Sequence, residues 1–281
     1  MSESNGVLDV LDLEAVDGGF VARNMDEGGG VVFGGQILAQ TVVAAARTQA
    51  DKQVQSVQTV FARSARGDQP LSIDVEEMHS GRAFGSVTVT VRQGDRLCAR
   101  SLVLLHSPDA DLIRHSAEPP VVAPADDLPD RGQTPWWQIR YDPDVDISDP
   151  DALGPSTLDV WTRFPGAPSD ITTSQALLAY ASDGFLIATA MRPHPGVGQA
   201  LAHVSVSTTV LTQTLSFHDP FDASDWMLLA HESPYAGRGR SYGRANVFTA
   251  DGRLVASYVQ DNMVRDFPEG AAPAAGARAS H

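Results

Sequence analysis

The sequence predicts an α+β protein in which one unit, a central helix with an antiparallel sheet wrapped around it, occurs twice. Three observations carry that expectation. The segments Gly81-Arg82-Ala83-Phe84-Gly85 and Asp95-Arg96-Leu97-Cys98-Ala99 recur as Gly239-Arg240-Ser241-Tyr242-Gly243 and Gly252-Arg253-Leu254-Val255-Ala256. Upstream, Gly34-Gly35-Gln36-Ile37-Leu38-Ala39 corresponds to Thr173-Ser174-Gln175-Ala176-Leu177-Leu178. In both halves a helical pattern precedes runs that alternate, or stay apolar, at strand length.

The elements follow in order. A short apolar segment (9–25) and the turn Gly28-Gly29-Gly30 lead into Val31-Val32-Phe33, and Gly34-Gly35 opens a buried helix, Gln36 to Ala46. Strands are expected at Val54–Arg63, Leu71–Met78, Phe84–Val91 and Arg96–His106, which closes a first domain at 1–106. Residues 107–158 are crowded with Pro and Asp and read as an irregular connector, pinned to the surface by Trp136-Trp137. The second domain, 159–266, repeats the pattern. A strand at Leu158–Phe164 and a helix from Thr172 to Met191 precede strands at 203–217, 226–234, 240–249 and 253–265. The Ala/Gly/Pro-rich end, 267–281, reads as a disordered tail.

Composition narrows the function. A chain of 281 residues, 42% hydrophobic and 20% charged, has ordinary globular proportions. A net charge of −15 repels polyphosphate and anionic lipid, so nucleic acid and membrane are not expected partners. An anionic ligand would need a local basic pocket. The start lacks a basic and apolar leader, no run has membrane-spanning length, and one cysteine excludes an internal disulfide. A cytoplasmic protein is the expectation; Cys98, opposite Val255 of the other copy, reads as core.

Two motifs mislead. Gly239-Arg240-Ser241-Tyr242-Gly243 matches the nucleophile-elbow pattern, but it leads into a strand and its twin carries Ala83 at the serine position. The acidic stretch Asp142–Asp151 lacks the glycine and glutamate of a calcium loop, and no Cys/His cluster has zinc spacing, so neither metal nor cofactor is expected.

Two polar residues are private to the second copy. Asp183 interrupts an apolar helical run and falls opposite Ala44; Gln260 interrupts the strand Leu254–Val259 and falls opposite Val103. A carboxylate in such a run must find partners or shift its pKa upward. Thr208, Val210, Thr212 and Thr214 are expected on one face of their strand. Aspartate, amide and hydroxyl together can hold and polarise a water for direct hydrolysis.

At these residues the chain resembles the acyl-CoA thioesterase II family. The resemblance covers about residues 8–266 through Val32-Phe33-Gly34-Gly35-Gln36, Ala179-Tyr180-Ala181-Ser182-Asp183, Phe217-His218-Asp219-Pro220-Phe221, Leu254-Val255-Ala256-Ser257-Tyr258-Val259-Gln260 and Met263-Val264-Arg265. It implies a double hot-dog fold and hydrolysis of fatty acyl-CoA by water held between an aspartate, a glutamine and a hydroxyl. Asp183 and Gln260 match the first two. The hydroxyl position falls on Val210, and the following Asp-His pair of the family reads Thr212-Gln213; Thr212 is the expected substitute, with Thr209 requiring a one-residue slip. The family's Ser-x-His likewise reads Ser56-Val57-Gln58, before Phe61-Ala62-Arg63.

Substrate contacts are expected at Gly34 and Gly35, where a helix N-terminus can polarise a carbonyl, and at Arg63, Arg66, Arg240 and Arg244 for coenzyme A phosphates. A non-catalytic acyl-thioester binding or scaffolding protein is the rival reading, and a hot-dog hydratase ranks last for want of a His/Asp pair by the helix. Homo-oligomerisation is left open.

Overall fold

Helices α1 (Gly34–Thr48) and α2 (Ile171–Ser182) pack against each other in the interior, and their composition requires it. Every α1 residue from Gly35 to Ala46 is buried, as is every α2 residue from Ser174 to Ser182. Helices that are mostly apolar or small around their circumference are stable only when enclosed. The start of α1 meets the end of α2, where a Cβ on Gly35 would lie 2.3 Å from the Tyr180 carbonyl oxygen. Only glycine allows that approach.

The computed structural model describes residues 6–25 and 30–267. The sheet enclosing the helices has twelve strands: β1 (Glu14–Val16), β2 (Gly19–Ala22), β3 (Gln53–Phe61), β4 (Leu71–Ser80), β5 (Phe84–Gln93), β6 (Arg96–His106), β7 (Gln138–Arg140), β8 (Thr157–Arg163), β9 (Val206–Phe217), β10 (Met227–Gly237), β11 (Arg240–Thr249) and β12 (Leu254–Asp266). Their order is β1-β2-β4-β5-β6-β3-β9-β12-β11-β10-β8-β7. Read inward from either end, β2-β4-β5-β6-β3 and β8-β10-β11-β12-β9 have the same connectivity, so the sequence repeat is also a topological one. Each half is a hot-dog: an antiparallel sheet around one helix. Antiparallel pairing of β3 with β9, from Ser56↔Ser216 to Val60↔Thr212, joins the expected two sheets edge to edge into one.

Three local expectations are corrected. The helix expected over 172–191 is two: α2 stops at Ser182, and α3 (Leu186–Met191) resumes after Asp183-Gly184-Phe185. Phe185 has φ 44, a left-handed conformation that costs a non-glycine residue about 1–3 kcal/mol and ends the helical ladder. The strand expected from 203 begins at Val206, because His203 has φ 60 and its N–H closes a turn onto the Val206 carbonyl.

Within the connector, Trp137 is core rather than surface. Its ring stacks on Phe164 at 5.9 Å, and its Nε1 donates to Thr162 Oγ1 at 2.7 Å. The connector's aspartates cap their own turns, Asp142, Asp146 and Asp149 each accepting from the backbone N–H two residues on. Most of the expected tail and Gly28-Gly29 lie outside the described residues.

Ser241 sits inside β11, buried, not on a strand-to-helix elbow. Ala44 and Val103, the counterparts of Asp183 and Gln260, are 0% and 2% exposed in the apolar core. The polar pair therefore has no polar counterpart at the symmetry-related position. Among the described residues no helix is long and apolar enough to cross a membrane.

Candidate active site

The site forms where α2 ends against the start of α1. Helix α1 has no side-chain cap of its own and no acid in its first turn. Asp183, at the C-cap of α2, fills that role from the other helix: its Oδ2 accepts from the Gly35 N–H at 2.9 Å. The positive end of α1 and a free N–H donor both favour the carboxylate. A Cβ on Gly34 would come 2.7 Å from the same oxygen, so Gly34 leaves room for the carboxylate itself. The Gly35 N–H expected to polarise a substrate carbonyl is thus committed to Asp183.

Burial dominates the electrostatics. Loss of hydration pushes the Asp183 pKa up to about 7, against the lowering pull of the Gly35 hydrogen bond. A carboxyl poised there exchanges a proton near neutrality, as a general base must. Beside it Tyr258 is held neutral, its pKa raised by burial and by Asp183, and its hydroxyl pairs with His231 Nε2 at 2.6 Å. His231 Nδ1 meets the Leu158 carbonyl at 2.9 Å, and burial lowers the ring's pKa to about 4. That pair reads as a neutral buried wall.

Gln260 joins Asp183 from β12, its Nε2 lying 3.4 Å from Asp183 Oδ1 and 2.7 Å from Gln213 Oε1. Thr212 does not join them. Register runs Thr212↔Asp261 and then Val210↔Asn262, so Leu211 is an extra, unpaired residue. Such a bulge reverses the alternation of side chains. Val210 and Gln213 consequently face inward together, while the Thr212 hydroxyl donates to Asp261 Oδ2 at 3.0 Å on the outer face. The residue that meets Gln260 is Gln213, 1% exposed, which the sequence placed beside Thr212 without a role.

A cavity of about 580 Å³ opens onto Asp183. Phe33, Ile37, Phe61, Phe185, Ile187, Val210 and Leu211 supply apolar walls, and Gly34, Arg63, Arg131, Gln199, His203 and Thr208 supply polar ones. The size suits a small-molecule substrate, and the mixed lining suits one with an apolar and a charged end.

Among the expected arginines, Arg63 lines this cavity. Arg66 is held by Asp68 through two bonds of 2.9 and 2.7 Å, and Arg244 by Glu232 at 2.9 and 2.7 Å. Arg240, at the start of β11, is not part of the cavity wall. Sequence reasoning passed over Arg131, which reaches the cavity from the connector with its guanidinium 5.0 Å above the Tyr141 ring.

Fold and site together define a double hot-dog protein with a partly buried carboxyl of raised pKa at one helix junction. Family models for the acyl-CoA thioesterase N-terminal domain and C-terminal domain match residues 21–106 and 117–264. The chain belongs to the acyl-CoA thioesterase family and is a thioester hydrolase. It is 28% identical to acyl-CoA thioesterase 2 of Haemophilus influenzae over 93% of this chain and 97% of that protein. It is also 28% identical to human acyl-coenzyme A thioesterase 8, over 94% and 90%. A crystal structure of acyl-CoA thioesterase II TesB2 from Mycobacterium marinum superposes with a TM-score of 0.80 at 28% identity, covering 94% of this chain and all of that one.

Proposed function

We propose that the protein hydrolyses fatty acyl-CoA to free fatty acid and coenzyme A by direct attack of a water held at Asp183 and Gln260. The carrying observation is Asp183, a partly buried cavity-lining residue whose pKa is pushed up to about 7 by desolvation. At neutral pH its ionised form accepts a proton as the water oxygen bonds to the thioester carbonyl carbon. The carbon–sulfur bond then breaks, and the proton passes to the departing thiolate. Two residues that contact the water fix its approach, an arrangement that lowers the barrier by removing orientational freedom.

The cavity supports the substrate class. Its apolar wall suits an acyl chain, and Arg63 and Arg131 suit the phosphates of coenzyme A in a chain whose net charge of −15 otherwise repels them. No hydroxyl faces the water from position 210, so Asp183 and Gln260 act without the third partner that the family resemblance implies.

Steady-state release of coenzyme A from acyl-CoA of increasing chain length tests the reading. Saturable turnover that rises with the apolar chain supports it. Tight acyl-CoA binding with no release at any length would leave a thioester-binding protein instead.

A further inference from the structure

Gln260 is held in one orientation by a chain of hydrogen bonds with a fixed direction. It starts at the Ala179 carbonyl of α2, which can only accept. The Ser182 hydroxyl donates to it at 2.9 Å. With its proton so placed, Ser182 Oγ accepts from Gln213 Nε2 at 2.5 Å. That turns Gln213 Oε1 toward Gln260, whose Nε2 donates to it at 2.7 Å. The same amide nitrogen then faces Asp183 Oδ1 at 3.4 Å. At the far end Gln260 Oε1 is buried without a hydrogen-bond partner. A buried acceptor left unmatched costs about 1–3 kcal/mol unless a ligand or water supplies the donor.

We infer that Gln213 is a positioning residue for the proposed hydrolysis, setting the Gln260 amide so that its N–H meets Asp183 and its carbonyl is left to accept from the attacking water. The inference rests on the Asp183–Gln260 reading above. Water would then donate one proton to Asp183 and the other to Gln260 Oε1, leaving an oxygen lone pair for the thioester carbon. Gln213 touches neither substrate nor water; it acts through Gln260. It sits at the seam of the two halves, opposite Thr59 on β3 and Gln260 on β12, and the Leu211 bulge brings Val210 onto the same face.

Gln213→Met keeps length but cannot donate and accepts only weakly. Expected results are a fall in kcat of about tenfold, the weight of one well-made hydrogen bond to a charged group's partner, with KM changed less than about twofold. The acid limb of the pH profile should also move to higher pH, because Asp183 loses a fixed donor. Gln213→His, whose neutral ring accepts at one nitrogen and donates at the other, should restore both.

The other titratable groups around Asp183 are Tyr258 and His231 beside it and Arg63, Arg131, Tyr141 and His203 lining the cavity; none is altered by these changes. A direct ¹³C NMR titration of the Asp183 carboxyl in the ligand-free protein gives a readout independent of turnover. If wild type fails to release coenzyme A but Gln213→Met still raises the Asp183 pKa, the positioning chain stands and the hydrolytic reading falls. If Gln213→Met leaves kcat and that pKa unchanged, or if the His variant loses as much as the Met variant, the inference is overturned. Should Gln213→Met not fold, Ser182→Ala, which removes the anchor of the chain, is read by the same two measurements, and no movement in either overturns it.

Discussion

The Gly35 N–H and Asp183 Oδ2, 2.9 Å apart and 148 residues distant in sequence, bind the N-terminus of one central helix to the C-terminus of the other. The contact both caps α1 and aims the carboxyl. Glycine at 34 and 35 is what lets the two helix ends meet. Gly34→Ala should therefore displace Asp183 and lower kcat by about tenfold or more, since small displacements of reacting groups are costly. Gly35→Ala should destabilise the fold by about 1–3 kcal/mol through its clash with the Tyr180 backbone. Chemical denaturation and steady-state kinetics on the two variants separate these effects.

Activity should depend on pH through Asp183. With a pKa of about 7 the carboxyl is protonated and inactive as a base in acid, so kcat/KM should rise with pH and level off above neutrality. A pH–rate profile between pH 5 and 9 checks this, with an apparent pKa near 7 expected for the free enzyme.

The same shift carries a stability cost of opposite sign. A folded-state pKa raised from 3.8 to about 7 means the native state holds the proton more tightly than the unfolded chain. The contribution of Asp183 to stability is greatest below pH 4, falls through the interval up to about 7, and is then constant, with a total penalty on the order of 4 kcal/mol. Asp183→Asn should therefore melt higher than wild type at pH 8 and close to it at pH 4. Thermal melts at both values give the comparison.

Position 212 should be silent and position 210 sensitive. The Thr212 hydroxyl is turned to Asp261, so Thr212→Val should change turnover by less than about twofold. Val210 lines the cavity, and Val210→Thr should raise kcat several-fold by supplying a hydrogen bond worth about 1 kcal/mol. Initial-rate assays of both variants at saturating substrate decide the matter.

The repeated unit, the two helices and the pairing of Asp183 with Gln260 were legible in the sequence because each leaves a compositional mark. Repeated Gly-Arg-x-aromatic-Gly turns mark the hairpins, and a polar residue inside an apolar run marks the site. The Leu211 bulge leaves no such mark, since neither glycine nor proline announces it. Strand parity counted across it sent Thr212 inward and Gln213 outward, the reverse of what the pairing gives. The break after Ser182 was hidden for a related reason: Phe185 adopts a positive φ that its residue type does not suggest. Arg131 was unreadable because the connector's path to the cavity is set by the stacking of Trp137 on Phe164, a contact far along the chain.

Turnover of Asp183→Asn is the most direct measurement of the central claim. The variant keeps the acceptor for Gly35 N–H and the shape of the side chain but cannot take a proton. Folded protein with kcat lowered by at least about a hundredfold, and with acyl-CoA still bound, is the predicted result. Unchanged turnover in a correctly folded Asp183→Asn protein would contradict it and move the chemistry elsewhere.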